Sequence, residues 1–439
     1  MMKSLLSLVL LSFGLNSFAQ QANYLTNKLM VKLHAGEKIS NTKHVTRVKN
    51  LFGNVYVVET NNLYKLEDDL KSDPAVIFFE RSYTAPKRVL AEKAQTLNIR
   101  SLNVNSENVS FNDPYAGKVW SFLDASQNGV SVNKAYTNMT TQADSTTIVA
   151  VVDTGVDYNH EDLKNVMWHN EKEIPNNNID DDNNGYVDDY YGINTLQRDA
   201  QGRATGNPMD THYHGSHVAG TIAAEQNNGK GIAGIASKVK IMAIHTVPND
   251  GDETDVNVAE SYIYAAKMGA KLINCSFGKA VNEGGQIVSE AIDFIGKNYG
   301  VLVVAAAGNE TTNIDVTPKY PAAYSNDNLL VIAATTSMGS LASYSNFGLT
   351  RVDVAAPGSN IYSVSPGNRY QSLSGTSMAT PTTVGVLAEI LSHYPNLTNL
   401  QLKDHIMKTV TKVSAFSSKM VTGGRIDLDR ALNAQPPRY

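Results

Sequence analysis

The chain has 439 residues, 42% of them hydrophobic, a net charge of −5 and one cysteine. That is enough apolar material for a large core and two folded units. The mild acidity, with no basic stripe interleaved with aromatics, argues against a nucleic-acid partner. A single cysteine excludes an internal disulfide and leaves core size and bound metal to supply stability.

In chain order, Met1–Lys3 is a short basic start and Leu5–Leu15 an apolar run. Ser17-Phe18-Ala19 then fits a small-x-small cleavage site. Residues 1–19 are therefore expected to be a secretory signal peptide, which sends the protein to the extracellular space or the periplasm. No stretch approaches the roughly 18 apolar residues of a membrane-spanning helix, so no membrane span is expected. In residues 20–87, Lys28–Leu33, Asn54–Glu59 and Val76–Tyr83 read as strands, and Asn62–Ser72 has helical spacing. These predict a small α+β unit. Residues 88–111 are polar and without clear periodicity, as suits an exposed linker open to cleavage.

Residues 112–439 alternate between strand and helix patterns. Strands are predicted at Thr147–Asp153, Lys240–His245, Leu272–Ser276, Val301–Ala306 and Leu330–Ala334. Helices are predicted after His214, near Val256–Met268, around Gln286–Asn298 and over Met378–Ile390. Such alternation makes an α/β fold, a parallel sheet with helices on both faces. Cys275 falls inside one of the buried strands, where a packed inert thiol is expected.

One insertion, Asn176–Asn194, contains Ile179–Tyr191, with five aspartates within ten residues. Asp180, Asp182 and Asn184, followed by Gly185, reproduce the early part of a calcium loop, with alternating side-chain oxygens and a glycine at the bend. Tyr186 offers a backbone carbonyl, and Asp188 or Asp189 closes the shell. Position twelve is Tyr191 rather than Glu, so the loop departs from an EF-hand. Ca2+ is the expected ion for an all-oxygen site in a secreted protein.

Three residues stand where chemistry could be done. Asp153 ends an apolar strand at the edge where α/β sheets gather their ligands. His214 precedes a helix of small residues, and Ser377 lies in a Gly-flanked turn opening an apolar helix. A serine at a helix N-terminus sits among orphan N–H groups able to hold a developing oxyanion. Taken singly, these are a turn aspartate, a structural histidine and an N-cap. Together they run Asp, His, Ser along the chain, the order found in subtilisin.

The segments DTGVDYNHEDL, HGSHVAGTIAA and SGTSMATP resemble the three signatures of the subtilisin-like serine proteases, the subtilases, and VLVVAAAGNE supplies a fourth match. The resemblance covers about Asn112–Leu432. It implies a three-layer α/β/α domain with a mostly parallel sheet, preceded by a small α+β propeptide domain that chaperones folding and acts as an intramolecular inhibitor. An independent β-rich module that stays attached is the other reading of the N-terminal unit. The activity implied is that of a secreted serine endopeptidase, a monomer acting on protein or peptide substrates and made as a self-processed zymogen. Ser377 would attack, His214 would carry the proton, and Asp153 would fix the imidazole tautomer. Asn309 would be the side-chain donor of the oxyanion hole, and Ser276, Phe277 and Gly278 would pair with substrate backbone. His217, one turn into its helix, would be a packed structural residue.

By the same resemblance, Asp162 with Asn227-Asn228-Gly229 is a second calcium candidate. Lys319 falls near the base of the primary side-chain pocket, although a solvated surface lysine is the expectation from its type. An aspartic protease would need a second Asp-Thr-Gly or Asp-Ser-Gly, which the chain lacks. An α/β-hydrolase would need Gly-x-Ser-x-Gly and a different triad order. A catalytically silent binding scaffold on the same fold remains the alternative from another class.

Overall fold

The computed structural model describes residues 23–84, 110–139, 143–279 and 285–436. The signal-peptide reading of 1–19 and most of the linker reading of 88–111 lie outside the described residues.

The N-terminal unit is a four-stranded antiparallel sheet of β1 (Asn23–Leu33), β2 (Val45–Phe52), β3 (Val55–Thr60) and β4 (Val76–Thr84), in the order β2-β3-β1-β4. Helix α1 (Leu63–Lys71) starts where the Asn62 side chain accepts a hydrogen bond from Lys65 N. Its Leu63, Leu66 and Leu70 meet Leu29, Val31 and Leu33 of β1 in a small core of their own. Alternation along a strand sends Met30 to the opposite face. There, with Leu51, Phe52, Val55 and Val57, it joins the core of the larger domain. Sequence pattern foresaw three of these strands but not β2. This edge strand is mostly exposed and lacks the apolar alternation that marks a half-buried one.

In the larger domain, α2 (Val132–Asn138) leads to β5 (Thr147–Asp153), β6 (Gly192–Arg198), β7 (Ala204–Thr205), α3 (His214–Ala223), β8 (Val239–His245), α4 (Asp255–Lys267) and β9 (Leu272–Cys275). There follow α5 (Gln286–Tyr299), β10 (Leu302–Ala306), β11 (Leu329–Thr335), β12 (Val354–Pro357) and the hairpin β13 (Ile361–Ser365) and β14 (Arg369–Leu373). The domain closes with α6 (Thr376–His393), α7 (Asn399–Lys408), β15 (Thr411–Lys412), β16 (Gly424–Arg425) and α8 (Leu428–Asn433).

Ten strands form one sheet in the order β15-β16-β12-β11-β10-β9-β5-β8-β6-β7. Every pairing from β16 to β6 is parallel, and only the two edge strands run antiparallel. Each strand of the middle is buried on both faces, which explains the unbroken apolar runs. In β5, Val149 and Val151 point into the layer holding α3 and α6, whereas Ala150 and Val152 point into the layer holding α4 and α5. The result is a three-layer α/β/α fold with a mostly parallel sheet. Strand order reverses around β5, which has the later β9 on one side and β8 on the other. Open α/β sheets form their clefts at such a point, beyond the C-terminal strand ends.

The N-terminal sheet lies on α4 and α5. Phe52 packs against Phe294 with ring centroids 5.2 Å apart, Lys32 pairs with Glu290 at 2.6 Å and Lys49 with Glu260 at 3.1 Å. Glu80 accepts hydrogen bonds from Gln286 N at 2.9 Å and Ile287 N at 3.1 Å, covering the N-terminus of α5. No helix among the described residues is long and apolar enough to cross a membrane.

Candidate active site

Asp153, the last residue of β5, and His214, the first of α3, are brought together by the approach of the α3 start to the turn after β5. The approach is close enough that a Cβ on Gly215 would lie 2.0 Å from Gly155 O and 3.1 Å from the Asp153 Cβ, so only glycine fits. His214 Nδ1 lies 2.6 Å from Asp153 Oδ1, and the same oxygen accepts from Thr154 N at 2.8 Å. Both side chains are buried, 3% and 1% exposed. A carboxylate bonded to Nδ1 holds the proton on that nitrogen and aims Nε2 as a base. His217 is wholly buried, with Nε2 2.9 Å from Ile361 O, which matches a structural role.

Ser377 is the second residue of α6, a helix buried from Thr376 to Ser392. Pro381 lies four residues on and has no N–H, so the Ser377 carbonyl lacks its usual helical donor. Ser276, just past β9, supplies one instead: its Oγ donates to Ser377 O at 2.9 Å. In return the Ser377 Oγ donates to Ser276 O at 3.0 Å. The hydroxyl therefore rests on the strand that was expected to bind substrate.

Asn309 follows β10 and is tied to the turn before Ser377. Its Oδ1 accepts from Thr376 N at 2.8 Å and Thr376 Oγ1 at 2.9 Å, and Gly308 N donates to that same hydroxyl at 3.1 Å. With the amide oxygen fixed on the helix start, the Nδ2 hydrogens point the other way. Such a preset dipole is what oxyanion stabilisation requires.

Of the expected substrate-binding trio, Ser276 is committed to Ser377, Phe277 turns into the core, and Gly278 runs beside Tyr320. Lys279 and Tyr320 exchange backbone hydrogen bonds at 2.9 and 3.0 Å, joining the segment after Ser276 to the Tyr320 loop. Lys319 is not a solvated surface lysine: its side chain is 14% exposed and pairs with Glu310 at 3.0 Å. The residue after Asn309 supplies its partner, which sequence reading had no means to see.

In the acidic loop, the residues divide. Asp180 accepts from Asn184 N and Gly185 N, and Asp188 accepts from Asn177 N and Asn178 N, so both brace loop backbone. Asn184 accepts from Tyr186 N and donates to Asp189, while the Tyr186 hydroxyl reaches Glu260. Asp182 and Asp189 instead converge with Glu173, which precedes the loop, one oxygen from each lying within 4.8 Å of the others. Glu173 is 4% exposed, and its Oε2 is buried without a hydrogen-bond partner. Burial, with repulsion from Asp182 beside each, raises the pKa of both Glu173 and Asp189. A cation among the three would reverse those shifts. The second calcium candidate has its donors already: Asp162 accepts from Asn228, Ile232 N and Tyr370.

The profile of the Subtilase family matches residues 144–424. Subtilisin-like protease 1 of Plasmodium berghei (strain Anka) is 34% identical over 340 residues, which are 73% of this chain and 54% of that one. Thermitase of Thermoactinomyces vulgaris is 36% identical over 275 residues, 63% of this chain and 85% of that one. The crystal structure of fervidolysin from Fervidobacterium pennivorans, a keratinolytic enzyme related to subtilisin, superposes with a TM-score of 0.70 at 26% identity, covering 95% of this chain and 62% of that one. The chain spans about half the length of the Plasmodium relatives it matches.

Proposed function

The chain belongs to the subtilase family, and on that premise we propose that it is a secreted serine endopeptidase made as a self-processed zymogen. The observation that carries this reading is the buried Asp153–His214 pair at 2.6 Å, facing a sheet edge where Ser377 opens a buried helix and Asn309 is locked to its first turn. In the reaction, the Ser377 hydroxyl turns from Ser276 O to His214 Nε2 and gives up its proton as Oγ attacks the scissile carbonyl. Asp153 holds the imidazole tautomer and stabilises the imidazolium. The oxyanion is received by Asn309 Nδ2 and Ser377 N, and His214 then returns the proton to the leaving amine, freeing it from the acyl-enzyme. Water repeats the cycle to release the acid.

Residues 20–87 are read as the propeptide, whose sheet covers α4 and α5 and whose Glu80 caps α5. Ca2+ is assigned to Glu173, Asp182 and Asp189, a hard all-oxygen set whose orphaned Glu173 oxygen fits a cation. When bound, the ion would neutralise the cluster and brace the loop.

The test is casein hydrolysis by the secreted protein beside Ser377→Ala, with N-terminal sequencing of both. Hydrolysis and a shortened N-terminus in the wild type alone are expected. Equal hydrolysis by Ser377→Ala would refute the assignment of the nucleophile.

A further inference from the structure

We propose that Asp210 is a positioning residue for the Asp153–His214 pair and does this work only as an anion, an inference that rests on the protease reading above. Asp210 lies in the loop between β7 and α3 and is 3% exposed. Four donors converge on it. Oδ1 receives Thr154 Oγ1 at 3.2 Å and His212 N at 2.8 Å, and Oδ2 receives Ser216 N at 3.1 Å and Ser216 Oγ at 2.7 Å.

These bonds join the two segments that carry the dyad. Thr154 follows Asp153 and donates its N–H to Asp153 Oδ1, while its hydroxyl oxygen accepts Gly215 N at 3.0 Å. Ser216 is two residues past His214, and its hydroxyl oxygen accepts Asp157 N at 2.9 Å. Helix α3 has no side-chain cap on Tyr213, so Asp210 takes that place, with its charge at the positive end of the helix.

Each hydroxyl has one hydrogen, which it gives to Asp210, while its oxygen accepts a backbone N–H. A protonated Asp210 could keep one hydroxyl contact only by reversing it, which leaves that hydroxyl's hydrogen without its acceptor, and the backbone bonds from His212 and Ser216 would weaken with the charge. Burial raises its pKa to about 6, the charge of Asp153 adding to the rise and the hydrogen bonds to Ser216 and His212 opposing it. The titratable groups on the elements around it are Asp153 at the end of β5, Asp157 beyond it, His212 on its own loop, His214 on α3 and His245 at the end of β8. Losing the anion would free Thr154 and Ser216, let α3 shift against the β5 turn and lengthen the Asp153–His214 contact.

The experiment compares matured wild type, Asp210→Asn and Thr154→Val on a chromogenic peptide, with active sites counted by the acyl-enzyme burst. Asp210→Asn should lower kcat per site by roughly 10- to 100-fold. KM should stay within about twofold. The acid limb of kcat/KM, which in the wild type needs Asp210 and His214 both deprotonated, should become a one-proton limb. Thr154→Val, which keeps the carboxylate and cuts the link to Gly215, should lower kcat in the same way and gives the answer if Asp210→Asn does not fold. Wild-type kcat per site and an unchanged acid limb would overturn the proposal. So would a loss confined to the number of burst-competent sites, which would mark Asp210 as a folding residue alone. Persistent hydrolysis in Ser377→Ala would sink the protease reading instead, so the two failures are separable.

Discussion

Replacing Phe52 with alanine asks whether the open face of the N-terminal sheet is what binds it to the rest of the protein. Phe52 is 4% exposed and lies 5.2 Å from Phe294 of α5. It belongs to the core shared with α4 and α5, not to the domain's own core around Leu66. Truncating a buried phenylalanine costs about 3–5 kcal/mol. Because the ring serves the junction and not the interior of the small domain, most of that cost should fall on docking and raise the dissociation constant by at least about 100-fold. The assay uses Ser377→Ala protein carrying a site-specific cleavage sequence within residues 88–111. The chain is cut there, and the affinity of the two pieces is measured by calorimetry. Tyr64→Ala, on the outer face of α1 and 64% exposed, should leave the affinity unchanged. A double-mutant cycle with Phe294→Ala should return a coupling of about 0.5–1.5 kcal/mol for the ring pair. An affinity for Phe52→Ala within about threefold of the parent would refute the argument that this face carries the docking energy.

Asn309→Ala should lower kcat by about 100- to 1,000-fold with KM nearly unchanged, as loss of an oxyanion donor does in subtilisin; equal effects on both parameters would mark it as a ground-state contact. Chelator should lower the melting temperature of the wild type, and Glu173→Gln should start lower and respond less. Identical responses would remove Glu173 from the metal site. Burial, with Asp255 adding, raises the pKa of Glu80 from 4.5 to about 7 in the docked protein, against two backbone N–H bonds and Lys279. A group raised on docking binds its proton more tightly there, so its contribution is complete below pH 4.5 and lost as pH rises through about 7. The dissociation constant of the two pieces should climb across that window, and Glu80→Gln should flatten the climb.

Local pattern carried most of the architecture, because a period of two or 3.6 and the residues that end an element are written within a dozen positions. The β5 strand agrees with its predicted range to the residue, and α1 runs between Asn62 and Ser72, which bounded its predicted span. The subtilase motifs likewise put Asp153, His214 and Ser377 at the ends of their elements, and Asn309 falls in the turn after β10. What the sequence could not display are contacts created by strand order. Asp210 reads as one more loop aspartate until the reversal around β5 sets Thr154 and Ser216 on either side of it. Its only signal was an acid shortly before a helix that lacks its own cap. Glu173 had no signal, since its partners come from a loop that folds back over it. Pro381 was visible in the sequence, but only packing against β9 shows that the carbonyl it frees is taken by Ser276. Spacing along the chain determined which groups were available. The sheet decided which of them meet, because convergence of buried polar groups depends on distances that no local periodicity encodes.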